Sequence, residues 1–497
     1  MGTLTTWQPE DTAFWEQTGR RVAARNLAIS VPCLLMAFAV WMMWSVLTVQ
    51  MENVGFPFTK EQLYTLTAIA GLSGATLRIP NSFLIAIGGG RNVVALTTGL
   101  LIVPAVGAGL ALGDPRTPYS TFCLLAALSG IGGGNFASSM SNINPFYPKC
   151  AQGAALGINA GVGNLGVSIA QKLLPVVMGA GLFGGAALTA RSTGASVWIH
   201  NGGWVWVAPL VLLTVLAALR MDNLPQFEIG GTAQALGKTL WLLALGGVAT
   251  AVGVGLLLRT QSAPLAILAT VALTLLPMRY LTPPSVRERV QAQFAILSNK
   301  HTWLMTLLYI MTFGSFIGFG AAFPKLMQDL FNQDMPGVAL RYGWLGPLVG
   351  SLARPLGGWI SDRWGGAKVT QVDTLIMIVA TVGAGLAIAT ARASTTPAAH
   401  FTPFMLWFLL LFVTTGIGNG STFRMVPFIF EPTLAGPVLG WTSAIAAYGA
   451  CVIPDLFRMQ IKAGHPERAM YACAAFYVVC LAVNGWFYAR RGAEKPC

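Results

Sequence analysis

Two arginines are conspicuous for their position. Arg78, in GATLRIPNSF, and Arg354, in LARPLGGWISDRWGG, lie about 12 to 15 residues from the outer ends of long apolar stretches, too deep to snorkel easily to an interface. A charge at that depth costs about 2.5–3.5 kcal/mol on insertion scales, so it is a functional candidate by default. The alternative is a structural ion pair, but acids are nearly absent from the apolar stretches. Asp362 falls at the end of a stretch, Glu431 in a connection and Asp455 near an outer end, and none is expected at mid-depth. Two uncompensated guanidiniums imply an anion between them, gripped by planar pairs of N–H donors that lysine cannot reproduce.

Glycine-rich segments accompany the arginines. GIGGGNFASSMSN (130–142), GINAGVGNLG (157–166) and GIGNGSTF (416–423) set small residues four apart at Gly130/Gly134, Gly157/Gly161 and Gly416/Gly420, with Gly163, Gly166 and Gly418 between or beside them. Close helix packing accounts for most of these glycines. It does not account for Asn135, Asn164 and Asn419, whose amides are costly in hydrocarbon unless they face a cavity or a partner. Composition leaves open which of the three faces an anion. Phe136 and the run Tyr309-Ile310-Met311-Thr312-Phe313 place rings near mid-depth, where their faces could clamp a flat ion while the arginines hold its edge. His200, His301, His400 and His465 fall at span ends or in connections, so no metal cluster is expected. Cys33, Cys123, Cys150, Cys451, Cys473, Cys480 and Cys497 lack CxxC spacing, which argues against a disulfide framework. Lys172 lies in the outer part of its span and is expected to snorkel. No cofactor is expected.

The elements that carry these residues are membrane helices. The 497 residues are 55% hydrophobic and 9% charged, against about a quarter charged in soluble domains, which excludes a soluble multidomain protein. Spanning stretches fall at 28–49, 63–87, 93–112, 118–143, 154–180, 204–220, 238–258, 263–278, 303–324, 342–361, 369–391, 401–423, 434–455 and 469–489. The N-terminal MGTLTTWQPEDTAFWEQTGRR is not a basic-then-apolar leader, so the first span is expected to serve as the membrane signal. The net charge of +13 reads as positive-inside topology and acidic-lipid contact rather than nucleic-acid binding. Arg20, Arg21, Arg25, Arg91, Lys149, Arg279, Arg287, Arg289, Lys300, Arg363, Lys368, Arg490 and Arg491 all fall on one side, expected to be the cytoplasm, where both termini also lie. The bias is moderate, because an outer connection is expected to carry Lys325 and Arg341.

The chain also repeats itself. RIPNSFLIAIGGGRNV from Arg78 aligns without gaps on RPLGGWISDRWGGAKV from Arg354, an offset of 276 residues that also pairs Leu72 with Leu348 and Gly74 with Gly350. Further on, Gly130 to Asn135 corresponds to Gly416 to Ser421, and Leu156-Gly157 to Leu439-Gly440. Three matches in one order imply two homologous six-helix halves, 1–222 and 301–497, joined by 223–300 with an extra helix pair at 238–278.

Six plus six helices with a motif between the second and third span of each half resembles the major facilitator superfamily. The second copy, with Gly358, Asp362, Arg363 and Gly365, fits that family's cytoplasmic loop motif, whereas the first, ending Gly88-Gly89-Gly90-Arg91-Asn92, lacks the acid. WQPEDTAFWEQTGRRVAARNL, GATLRIPNSF, GGGNFASSMSNINPFYPK, NAGVGNLGVS, LLYIMTFGSFIGFGAAFP, LARPLGGWISDRWGG and GIGNGSTFRMVP together resemble the nitrate/nitrite porter family, over nearly the whole chain outside about 223–295. The resemblance implies an all-α polytopic protein of the bacterial inner membrane with nitrate and nitrite as substrates and a role in nitrate assimilation. It implies Arg78 and Arg354 as anion ligands, Phe136, Tyr309 and Phe313 as binding-site aromatics, and Asn164 as the signature asparagine. The second glycine signature departs from the family pattern, reading Ser443 to Ala450 with fewer glycines. The extra helix pair is a further departure. A monomer is expected.

Electrostatics adds an expectation about mechanism. Two arginines without countercharge repel each other in an occluded cavity, and one bound anion cancels half of their charge. Obligatory nitrate/nitrite exchange follows, with nitrate/proton symport as the alternative, since a symporter would want a protonatable group in the path. A membrane reductase would need paired haem- or metal-ligating side chains inside spans, which the histidine positions do not supply. A channel gives no reason for two-fold related arginines.

Overall fold

The computed structural model describes residues 4–227, 231–282, 287, 291 and 294–497. Arg289, counted above with the basic cluster, lies outside the described residues, as does part of the 223–300 linker.

Twelve helices among the described residues are long and apolar enough to cross a bilayer: α1 Thr12–Asn53, α3 Gly90–Ala111, α4 Tyr119–Phe146, α5 Lys149–Met178, α6 Asn201–Arg220, α7 Thr232–Thr260, α8 Ala263–Tyr280, α9 Lys300–Phe331, α11 Gly366–Ala393, α12 Pro397–Ile429, α13 Leu434–Lys462 and α14 Glu467–Ala489. Two more have spanning length but fall short in apolarity, α2 Lys60–Gly88 and α10 Leu345–Trp364. These are the two helices that carry Arg78 and Arg354. α2 is buried along nearly all of its length, whereas α10 buries Arg354 on one side and leaves Leu352, Leu356 and Trp359 exposed on the other.

Local chemistry sets the helix ends and breaks. Thr59 and Gln62 form a capping box at the start of α2. Gly89 and Gly365, 276 residues apart, end α2 and α10 at φ 76° and 87°, a backbone region that favours glycine. Within helices, threonine hydroxyls bond the carbonyl four residues back, as Thr76 does to Leu72 and Thr250 to Gly246, so polar side chains cost little in the bilayer. A π-turn at Ile310–Gly314 interrupts α9.

Packing repeats with the sequence. In the first half α1 packs on α5, α2 on α4 and α3 on α6; in the second, α9 packs on α13, α10 on α12 and α11 on α14. Gly130 of α4 lies against Gly74 of α2, and Gly416 of α12 against Gly350 of α10, so the aligned glycines make equivalent close approaches. Across the halves α2 meets α13 and α5 meets α10, again a symmetric pair of contacts. The extra helices α7 and α8 pack on each other and on α2. Tyr448, in the break of α13, hydrogen-bonds Thr76 of α2 at 3.0 Å and Thr270 of α8 at 3.2 Å, tying the three parts together where the glycine signature departs from the family pattern.

Two sequence expectations are corrected. Lys325 does not lie in an outer connection; α9 continues past it to Phe331, and it is fully buried. Asp373, overlooked among the acids, sits seven residues inside α11, which begins at Gly366, and is 4% exposed. The first error comes from placing a span end by apolarity, when the helix runs on through a charged residue that the fold buries; Asp373 lies within the expected span 369–391 and was passed over near its start.

Candidate anion-binding site

The two arginines each lie ten residues before the end of their helix, roughly 15 Å along the axis. The fourteen helices of spanning length among the described residues place these ends on the same face as both chain termini. A cavity of about 1460 Å³ opens between the halves toward that face, lined by Ser82, Phe136, Gly157, Gly161, Ser351, Arg354 and Gly358 in its deeper parts and by Lys149, Asp362 and Arg424 nearer the mouth. Asp362 and Arg424 are ion-paired there, and the Arg363 guanidinium lies 3.9 Å from the Trp359 ring.

The opposite side is sealed. Buried Lys325 on α9 bridges Glu52 of α1 at 2.9 Å and Asp329 at 2.5 Å, while Lys60 of α2 reaches Asp329 at 3.0 Å and the Tyr64 hydroxyl donates to it at 3.1 Å. Gln171 of α5 donates to Gly320 O at 2.8 Å and Ser168 to Trp344 O at 2.9 Å. Lys172 lies with its ammonium 4.8 Å from the Trp344 ring. The protein is therefore open to the terminal face and closed to the other.

At the inner end of the cavity the aromatic side chains form a column across the halves. Phe136 stacks with Phe313 at 6.1 Å between ring centroids, Phe313 with Tyr309 at 5.5 Å, and Tyr309 meets Phe423 at 5.8 Å. The π-turn presents Tyr309 and Phe313 at its two ends. Arg78 is wholly buried, its guanidinium 4.8 Å from the Phe136 ring, 5.2 Å from Phe313 and 5.7 Å from Trp41. Its Nε donates to Gly133 O at 3.0 Å and Nη1 to Ser443 O of the second half at 3.1 Å, leaving Nη2 unpartnered. Arg354 is 8% exposed, lies 5.3 Å from the Phe423 ring and leaves Nη1 unpartnered. Neither makes a salt bridge among the described residues. The Tyr309 hydroxyl, also unpartnered, is within electrostatic reach of both guanidiniums, and each guanidinium is within reach of the other. Three buried donors without acceptors, two of them cationic, are chemically matched to a small anion.

Other expected residues divide. Asn164 is buried with Oδ1 unpartnered, and on α5 it shares a face with Ser168 and Gln171, which bond the second half; no hydrogen bond ties it to either arginine. Asn135 and Asn419 likewise leave Oδ1 unpartnered. Gly163 and Gly166 pack on Leu34, Leu35 and Phe38, and Gly420 on the backbone of Arg354 and Gly357. Gly157 and Gly161 differ from the packing expectation: a Cβ at either would meet nothing within 4 Å, because both face the cavity. Sequence reasoning missed Trp41, Phe423 and Ser351, whose hydroxyl is buried and unpartnered. Phe423 had a signal, closing the GIGNGSTF segment; Trp41 and Ser351 had none beyond lying in their spans. Among the described residues no group of three or more His, Cys, Asp or Glu could hold a metal ion.

No family profile matches the chain. It is 36% identical over 513 residues to the nitrate/nitrite transporter NarU of Escherichia coli (strain K12), covering 98% of this chain and 96% of that protein. It is 38% identical over 503 residues to a probable nitrate/nitrite antiporter NarK2 of Thermus thermophilus, covering 99% and 98%. In fold it is similar to a bacterial homologue of the human lysosomal transporter Spinster, with TM-score 0.61, 16% identity and coverage of 93% and 96%. The xylose transporter XylE of E. coli gives TM-score 0.58, 15% identity and coverage of 93% and 98%.

Proposed function

The chain belongs to the nitrate/nitrite transporter family of the major facilitator superfamily, and from that premise we propose that it exchanges nitrate for nitrite, holding the anion between Arg78 and Arg354. It is a multi-pass membrane transporter of nitrate and nitrite, not an enzyme. The observation that carries the site is the pair of guanidiniums at matching depth in the repeat, each with a buried N–H lacking an acceptor and neither with a carboxylate partner. Phe136, Phe313, Tyr309 and Phe423 surround the ion, with the Tyr309 hydroxyl as a third donor.

The halves 1–222 and 301–497 rock about this point, with the basic face and both termini in the bacterial cytoplasm, so the present conformation is open inward. Closing the cavity around two like charges without an anion is unfavourable, and a bound monovalent anion relieves it. Loaded carriers therefore cross readily and empty ones poorly, which couples entry of one ion to exit of the other. Proton symport is the second reading, favoured by buried Asp373, which makes no contact with either arginine.

Replacing Arg78 or Arg354 by Lys keeps the charge and removes the planar donor pair. Nitrate binding to either purified variant should weaken by roughly 10- to 100-fold, the loss expected for a charge-assisted hydrogen bond. Native affinity in both variants would place the anion elsewhere.

A further inference from the structure

The carboxyl of Asp373 takes no part in the exchange scheme and has no partner. It lies on α11 roughly 10 Å from the helix end, with Oδ2 buried and unbonded. A Cβ built on Gly418 of α12 would come within 2.6 Å of that oxygen and 2.7 Å of Thr312 Cγ2. Asp373, Gly418 and Thr312 thus meet where α11, α12 and the π-turn touch, and only glycine at 418 leaves room for the carboxyl. Thr312 belongs to the π-turn that presents Tyr309 and Phe313.

The hydroxyls around this point are already engaged. Thr312 pairs with Thr422 at 3.3 Å, Thr370 with Ser421 at 2.7 Å, and Thr374 donates to Thr370 O at 2.6 Å. The titratable side chains on the packed elements are Tyr309 on the turn itself, Arg354, Asp362 and Arg363 on α10, His400 and Arg424 on α12, and Glu467, Arg468, Tyr471, Cys473, Tyr477, Cys480 and Tyr488 on α14. Tyr309 faces the arginines, Arg354 lines the cavity, Tyr477 pairs with Ser315 at 2.6 Å and Cys480 points to Leu307 O at 3.9 Å. No hydrogen bond or ion pair joins any of them to Asp373. A carboxylate in such a place would be a buried charge with neither cation nor donor, so the neutral acid is the form that fits.

We infer that Asp373 is a proton-binding site whose bound proton holds the π-turn, and with it Tyr309 and Phe313, in position for the anion. The ligand is a proton, and the inference rests on the assignment of that turn to the anion site. If the proton is lost, the carboxylate needs donors. Thr312, whose side chain meets the same glycine, can offer its hydroxyl, and recruiting it breaks the Thr312–Thr422 bond and displaces the turn. Single-turn π segments are local departures from the α-helical ladder and are suited to such shifts. By linkage, a group that keeps its proton on folding contributes stability that is present at low pH and lost as pH rises through the folded-state titration. Asp373 is thus a positioning residue rather than an anion ligand.

The test compares the full-length native protein with Asp373→Asn, which is permanently neutral and nearly isosteric. Nitrate counterflow in nitrite-loaded proteoliposomes and thermal unfolding in detergent are each measured from about pH 6 to about pH 9. In the native protein the nitrate KM should rise by roughly threefold or more across that range and the Tm should fall, while both stay flatter in the variant with kcat little changed. Parallel pH profiles in the two proteins overturn the inference. So does an Asn variant that folds but transports at no pH, because that outcome requires Asp373 to ionise during the cycle. If neither protein shows counterflow, the exchange reading has failed separately. The Tm profiles then decide alone: a fall confined to the native protein supports the site, and parallel curves overturn it.

Discussion

Arg78 and Arg354 occupy equivalent positions of the repeat, yet their surroundings differ. Arg78 is built into the wall, with two backbone carbonyls and three rings around it. Arg354 borders the open cavity with one ring beside it. One bond of Arg78 crosses to Ser443 in the second half, so part of its donor capacity goes into holding the halves together while the cavity stands open. Under the proposed exchange an incoming anion would meet Arg354 first and Arg78 as the halves close, so that related residues would perform the same chemistry at different moments.

Truncation to Ala should separate the two most strongly. Arg78→Ala removes the side-chain bonds to Gly133 O and to Ser443 O, the latter still accepting from Ala447 N, and the contacts with three rings. It should cost on the order of 2–4 kcal/mol of stability in addition to losing nitrate binding. Arg354→Ala should lose binding with a melting temperature close to native; equal destabilisation of the two would erase the distinction. Next come the rings. Phe136→Leu removes a face shared by Arg78 and Phe313, and Phe423→Leu removes the one beside Arg354. Each should weaken nitrate binding by about 0.5–2 kcal/mol, with Phe136 the larger, as read by titration of purified protein. Tyr309→Phe removes a hydroxyl that has no protein partner, so stability should hold while nitrate affinity falls by about 1 kcal/mol, roughly fivefold. The smallest effect belongs to the cavity glycines. Gly157→Ala should change melting temperature and uptake little, within about 0.5 kcal/mol, whereas Gly416→Ala collides with Gly350 O and should unfold readily.

The scarcity of charge made the arginine pair legible in the sequence, and the 276-residue offset made the repeat legible. The equivalent φ values of Gly89 and Gly365 and the matching glycine approaches show the same two-fold pattern in the backbone. Lys325 was misread because apolarity locates the middle of a helix well and its ends poorly, whereas Asp373 lay inside its expected span and its burial depends on how α11 packs on α12. A charged residue a few positions from an assumed end looks like loop until its neighbours are known. Gly157 and Gly161 were misread for a related reason: spacing of four says that two glycines share a face, but not whether that face meets a helix or water. Trp41 and the Ser443 carbonyl could not have been assigned to Arg78 from sequence, since their approach depends on how α1 and α13 are rotated against α2.

The most direct test of exchange through uncompensated arginines is nitrate uptake into proteoliposomes with and without internal nitrite, at equal pH on both sides. Saturable uptake that depends on internal nitrite and needs no pH gradient is the predicted result. Uptake that ignores internal nitrite and appears only when a proton gradient is imposed would contradict it.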